Sequence, residues 1–253
     1  MPISSLLILG GTSEAARLAE AILERHGKKM RVVTSLAGRT RFPRPLPGEV
    51  RIGGFGGPKG LAAYLAEQKI ESVIDATHPF AGVISRNGAE ACDSLGLPRL
   101  MLVRPRWKKE KADDWRRVSD LGAAAELLPS LSKRPFLTIG RQGLAPFANC
   151  VTAHFVVRML EKPPEPLQLN DCEIVIGRPP FSVVDEVTLL EKHGIDALVT
   201  KESGGAATES KIVAARSLKL PVILIERPAP PEGEAVNTVE ACLDWLDKNE
   251  PHK

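Results

Sequence analysis

A chain of 253 residues is long enough for one large α/β unit or two small ones. Its net charge of +3 is too mild and too evenly spread for a nucleic-acid partner, and no Lys/Arg run or basic patch interleaved with aromatics occurs. Cys92, Cys150, Cys172 and Cys242 lie far apart with no CxxC or Cys/His cluster, which argues against a bound metal and against a disulfide framework. No stretch approaches the roughly 20 apolar residues that span a membrane. The opening MPISSLLILGG runs straight into a strand with no targeting pattern, so a reduced, cytoplasmic protein is expected. With 43% hydrophobic but only 4% aromatic residues, the core must be aliphatic, as parallel strands prefer.

Short apolar runs alternate with amphipathic stretches. In chain order the expected strands are 6–9, 31–34, 50–52, 72–76 and 99–103, then 135–139, 154–157, 173–176, 197–200 and 222–225. Helices are expected at 14–25, 60–68, 82–95, 184–193 and 207–218. Such alternation argues for parallel sheets with crossover helices, and five strands per set suit one small doubly wound sheet each. The charged stretch 104–118 (RPRWKKEKADDWRRV) reads as a connector, giving expected domains 1–103 and 119–253 on either side of it. Proline-rich 41–49 and 161–166 read as loops. An internal echo supports two halves: IESVIDATHPF to LPRLMLVRP (70–105) and IDALVTKESGG to LPVILIERP (195–228) share strand, loop, helix, Leu-Pro turn, strand and Arg-Pro stop.

Ligands of open parallel sheets bind outside the carboxyl ends of the strands, here expected to face a cleft between the domains. The first such loop, ILGGTSEAARLAEAI, takes a strand through Gly10, Gly11, Thr12 and Ser13 into a helix. Glycines let the backbone approach a pyrophosphate, the helix start offers N–H groups, and Thr12 and Ser13 can add hydroxyls, with Ser13 a natural N-cap. The spacing departs from GxGxxG, so a capped turn without ligand is the competing reading. The second loop, VVTSLAGRTR, holds Ser35, Arg39 and Arg41 and no carboxylate. An acid there would grip the ribose of NADH and repel a 2′-phosphate, whereas a serine and an arginine can hold one; NADPH is favoured over NADH.

Next, VIDATHPFAGVISRNG places Thr77 and His78 at a strand end, where His78 could orient a nicotinamide, touch substrate or shuttle a proton. Arg86, further along the helix, reads as a surface or packing residue. TIGRQGLAPF, FVVRMLEKPP and VIGRPPFS then supply Arg141, Gln142, Arg158 and Arg178. Cations at three successive strand ends suit a ligand with several carboxylates, with some arginines in structural ion pairs. Finally, ALVTKESGGAATESK ends a strand at Lys201 and opens a helix at Ser203, Gly204 and Gly205, an anion site beside a lysine that could pair with an acid or give a proton. No G-x-S-x-G, HExxH or P-loop is present. The residues alone reach a two-lobed protein with an anionic cofactor in one half and a polyanionic partner in the other. That leaves a sugar-nucleotide enzyme of glycosyltransferase type and a non-catalytic polycarboxylate-binding protein as rivals.

The blocks ILGGTSEA, VTSLAGRT, GEVRIGGFGG, IDATHPFA, IGRQGLAPF, VVRMLEKPP, RPPFSVVDE, LVTKESGGAATESK and PVILIERP resemble, in order, those of the precorrin-6A reductases. The resemblance implies two Rossmann-like domains with mainly parallel sheets, a ligand cleft between them, and exchange of the last strands of the halves, 99–103 and 222–225. It implies NADPH-dependent reduction of a macrocycle double bond of precorrin-6A to precorrin-6B in cobalamin biosynthesis; a cobalt-carrying substrate, as in the related anaerobic route, is the alternative. Carried over by position, Gly10, Gly11, Thr12 and Ser13 would hold the diphosphate, Ser35 and Arg39 the phosphorylated ribose, and Thr77 and His78 the nicotinamide. Lys201, Ser203, Gly204 and Gly205, helped by Arg141, Gln142 and Arg158, would face the substrate's acid groups, with Lys201 and His78 the catalytic candidates. The expected partners are a tetrapyrrole-derived substrate and, in transient contact, neighbouring pathway enzymes, with no nucleic acid, membrane or metal.

Overall fold

Runs in which every side chain is apolar are satisfied only inside a sheet covered on both faces, and the sequence builds two such sheets. The computed structural model describes residues 4–38 and 45–249. The chain runs through β1 (Ser5–Leu9), α1 (Ser13–His26), β2 (Arg31–Leu36), β3 (Glu49–Ile52), α2 (Pro58–Glu67), β4 (Ser72–Asp75), α3 (Gly82–Leu95) and β5 (Arg99–Leu102). It continues with β6 (Trp115–Val118), α4 (Leu121–Leu127), β7 (Pro135–Leu137), β8 (Phe155–Met159), β9 (Cys172–Ile176) and α5 (Val183–Lys192). Last come β10 (Ala197–Lys201), α6 (Ser210–Ser217), β11 (Val222–Ile225), β12 (Glu234–Val236) and α7 (Val239–Lys248).

One sheet has the order β12-β5-β4-β1-β2-β3 and the other β6-β11-β10-β7-β8-β9, with all described pairings parallel. Numbered within each half and read from the far edge, both are 3-2-1-4-5 plus a sixth strand, the doubly wound dinucleotide-binding order. The sixth strands are exchanged. β6 comes after β5 in the chain yet pairs with β11, and β12 comes after β11 yet pairs with β5. Exchange was expected, but of other strands: β5 stays beside β4 and β11 beside β10.

The expected domain limits change accordingly. Met1–Arg104 with Pro228–Lys253 forms one unit and Pro105–Arg227 the other. The charged stretch 104–118 is no free connector, because its apolar residues are claimed by the second unit. Trp107 and Trp115 join that unit's core with Phe136, Leu198 and Leu224, and Arg216 Nε donates to Asp113 at 2.8 Å. In the first unit, α7 brings Cys242, Leu243 and Leu246 against Leu18 and Ile22 of α1, while Leu61, Leu65 and Ala91 cover the other face. Each fully buried leucine contributes about 1.5–3 kcal/mol, so the returning segment is a substantial part of that core.

Candidate functional site

The glycine turn after β1 is tight on one side and open on the other. A Cβ on Gly10 would lie 2.8 Å from Thr34 Cγ2 and 3.3 Å from Ser35 O, and the Gly10 N–H donates to Ser35 O at 2.9 Å. Gly11 turns with φ +99°, and a Cβ there would meet nothing within 4 Å. The backbone therefore closes onto β2 and leaves space beside the first turn of α1, where unpaired N–H groups favour an anion.

The helix cap is Thr12 rather than the expected Ser13. Thr12 holds the extended conformation a cap requires, whereas Ser13 is already helical. Thr12 Oγ1 accepts from the Ala15 N–H at 3.1 Å and donates to Ala76 O at 2.7 Å, tying α1 to the end of β4. That commits its proton, so Thr12 has no hydroxyl hydrogen to offer a phosphate. Ser13 Oγ donates to Glu14 Oε2 at 3.0 Å. Glu14 would repel an anion at this helix end, but Arg104 lies 2.6 Å from its carboxylate. Burial lowers the Arg104 pKa from the ordinary arginine value, opposed by the attraction of Glu14. Sequence reasoning missed this pair, since the two residues are remote in the chain.

Ser35 is buried at the end of β2, with Leu9 and Arg51 as its ladder neighbours. Arg39 and Arg41 lie outside the described residues. A cation that sequence reasoning missed is Arg51, which donates to Gly53 O at 2.6 Å and Gly54 O at 2.8 Å and stacks 3.7 Å over Phe55. Beyond β4, Asp75 organises the turn: its Oδ1 accepts from the Thr77 N–H at 3.0 Å and from Thr77 Oγ1 at 2.7 Å. His78 Nδ1 accepts from the Phe80 N–H at 3.2 Å, which requires that nitrogen unprotonated and puts the neutral ring's proton on Nε2. A carboxylate closing a buried strand was the available signal for Asp75.

In the second unit, Lys201 ends β10 and the Ser203 N–H turns back to Lys201 O at 2.7 Å. Ser203 Oγ sits 3.2 Å from Thr208 Oγ1. The expected glycine-led α-helix does not form. Ala206–Thr208 make a 3-10 turn, α6 begins only at Ser210, and the Gly205 N–H is already bound to Pro105 O at 3.1 Å. Gly204 is required by packing, for a Cβ on it (φ +63°) would fall 2.1 Å from Pro105 O.

The arginines divide. Arg141 and Arg178 are exposed, 3.5 Å from Glu165 and 4.0 Å from Glu161, in pairs that a ligand carboxylate can displace; Gln142 is exposed beside Arg141. Arg158 differs from the expectation of a ligand contact: Nη1 and Nη2 donate to Glu186 at 2.7 and 2.8 Å, and the guanidinium lies 4.0 Å from the Phe181 ring centre. Its charge is already neutralised by a buried partner. Among the described residues no group of three or more His, Cys, Asp or Glu is placed to hold a metal.

The sequence model of the family described as precorrin-6x reductase CbiJ/CobK matches residues 5–247. The precorrin-6A reductase of Rhodococcus erythropolis is 45% identical over 245 residues, covering 96% of this chain and 98% of that protein. The cobalt-precorrin-6A reductase of Priestia megaterium is 26% identical over 251 residues, covering 95% of this chain and 97% of that protein. The solved structure of a CobK precorrin-6A reductase matches with a TM-score of 0.92 at 43% identity, covering 97% of this chain and 96% of that one. Two sheets of dinucleotide-binding order, an open glycine turn and a family match over nearly the whole length lead to one conclusion: the chain belongs to the precorrin-6x reductase family.

Proposed function

We propose that this chain transfers a hydride from NADPH to a double bond of precorrin-6A, giving precorrin-6B, in cobalamin biosynthesis. The observation that carries the cofactor half of this reading is the turn at Gly10 and Gly11, open at the helix end that a diphosphate would occupy. Gly10, Gly11 and the backbone N–H groups of Thr12 and Ser13 would hold the diphosphate, Ser35 with Arg39 the phosphorylated ribose, and Thr77 and His78 the nicotinamide. Neither ladder neighbour of Ser35 is acidic, which favours a 2′-phosphate over a bare ribose. Bound there, NADPH supplies the hydride.

The protein's own work is placement and proton supply. Reduction of a conjugated imine-like bond adds a hydride at one atom and requires a proton at its neighbour. Lys201, at the end of β10, is the proposed donor or the cation that fixes the substrate carboxylate beside it. His78, its ring held by the Phe80 N–H on Nδ1, would use the Nε2 side to orient the nicotinamide or the substrate. Ser203, Arg141 and Gln142 would meet the substrate's acid groups, while Gly204 and Gly205 act by letting the loop close on Pro105. Arg158, paired with Glu186, would act on the substrate only indirectly.

Identity of 45% to a precorrin-6A reductase against 26% to a cobalt-precorrin-6A reductase favours the cobalt-free substrate. The proposal includes a cytoplasmic location and transient hand-over to neighbouring pathway enzymes; no helix among the described residues is long and apolar enough to cross a membrane. Thermal shift with NADPH against NADH tests the cofactor: NADPH at about 100 times its dissociation constant should add about 2.7 kcal/mol, and equal or absent shifts would overturn the assignment. Lys201→Ala should cut turnover of precorrin-6A by about a hundredfold while NADPH binding persists.

A further inference from the structure

Glu202 is fully buried between the two residues assigned to the substrate, and its partners come from far away in the chain. Its Oε2 accepts from Arg106 Nη1 at 2.7 Å and its Oε1 from Arg117 Nη2 at 3.0 Å. Its N–H donates to Ile225 O at 2.8 Å, and its carbonyl accepts from Arg227 Nε at 3.1 Å. The carboxylate and both backbone groups are thus anchored outside the loop. The same entering segment closes on the next residues of the loop, since Trp107 Nε1 donates to Gly205 O at 3.1 Å and Pro105 O accepts from the Gly205 N–H. Between Lys201 and Ser203 the backbone makes an i to i+2 turn centred on Glu202.

A buried carboxylate among arginines is a weak source of net stability, because desolvation cancels much of the attraction. Its effect is on geometry. We propose that Glu202 is a positioning residue for the reduction: held by Arg106 and Arg117, it sets the turn that carries Lys201 and Ser203, the two residues proposed for the substrate. Arg106 and Arg117, from the stretch expected to be a connector, belong to the same device. The inference rests on the assignment of Lys201 and Ser203 to the substrate, and the experiment separates the two.

Steady-state kinetics with NADPH and precorrin-6A, NADPH titration, and amide hydrogen exchange would compare the parent with Glu202→Gln, Glu202→Asp, Arg106→Gln and Lys201→Ala. Glu202→Gln should lower kcat about tenfold or more and leave the Kd for NADPH unchanged. It should also speed exchange at residues 201–205 ahead of the rest of the second unit, and Glu202→Asp should recover part of kcat. Arg106→Gln removes a half-exposed side chain without threatening the fold and should lower kcat about threefold with the same pattern. Parent-like kcat in Glu202→Gln and Arg106→Gln, with Lys201→Ala inactive, would overturn the inference and spare the reading beneath it. An active Lys201→Ala would remove that reading instead. If Glu202→Gln does not fold, Arg106→Gln and the Arg106→Gln/Arg117→Gln double variant decide, and unchanged kcat in both overturns the proposal. Loss of NADPH binding in step with kcat also overturns it, since the effect would then be general damage.

Discussion

The two units share a strand order and differ in the segment that leaves the first strand of each. β1 passes through Gly10 and Gly11 into α1, fourteen residues long. β7 passes through Gly140 into two 3-10 turns, Arg141–Gly143 and Ala145–Asn149, with no α-helix before β8. An α-helix leaves its first N–H groups unpaired and aligned, whereas these short turns use theirs at once: the Gly143 N–H donates to Gly140 O and the Leu144 N–H to Arg141 O. One sheet order therefore yields an open glycine turn with free helix N–H groups in one unit and turns with their N–H groups already paired in the other. The strands beside them repeat the lesson. After β4, Asp75 fastens its own turn through Thr77, whereas after β10 Glu202 is fastened by arginines from the exchanged segment.

The contrast can be broken at its firmest point first. Glu186→Ala should cost about 3–5 kcal/mol in urea unfolding, because it strands the largely covered Arg158 guanidinium. Intact stability with weakened precorrin-6A binding would return Arg158 to the ligand surface and erase the division among the arginines. Next, Gly204→Ala should cost about 3 kcal/mol, combining a left-handed backbone with a carbonyl in the way, against about 1–2 kcal/mol for Gly11→Ala, where only the backbone objects. Equal losses would mean that the first turn is as crowded as the second.

A smaller effect separates the cap from its neighbour. Thr12→Ala should lower stability by about 1 kcal/mol and Ser13→Ala by less than about half of that, measured by thermal unfolding. The reverse order would make Ser13 the cap. The mildest prediction concerns alkali. Burial pushes the Cys92 thiol up to about 11 and the Cys242 thiol up to about 12, from 9.0, both in the first unit. The unfolded chain releases these protons first, so stability holds below pH 9 and declines as pH rises toward 11 and 12, by about 1 kcal/mol per thiol at pH 10. Cys92→Ala and Cys242→Ala should flatten that slope; an unchanged slope would place its source elsewhere.

Much of the architecture was legible because core strands carry unbroken apolar runs such as LLIL (residues 6–9) and VILI (222–225), bounded by turns. The exchanged strands were not. Trp115–Val118 carries Arg116 and Arg117, and Glu234–Val236 is three residues long, so neither bears the signature of a buried strand. Local pattern also says nothing about which sheet an edge strand joins. The glycine turn, Ser35, His78 and Lys201 could be singled out because strand ends are recognisable one at a time. The pairs Glu14–Arg104, Arg158–Glu186 and Glu202–Arg106 could not, because each links residues that only the folded chain brings together.

Strand exchange also imposes an order of assembly. Residues 234–248, which complete the amino-terminal sheet and cover α1, are synthesised after the whole of 105–227. On the ribosome the middle of the chain can reach its final partners while the beginning still waits with an open edge and an uncovered helix. The amino-terminal unit is thus the later of the two to close, and a chain interrupted after residue 227 would carry a finished interior and an unfinished start.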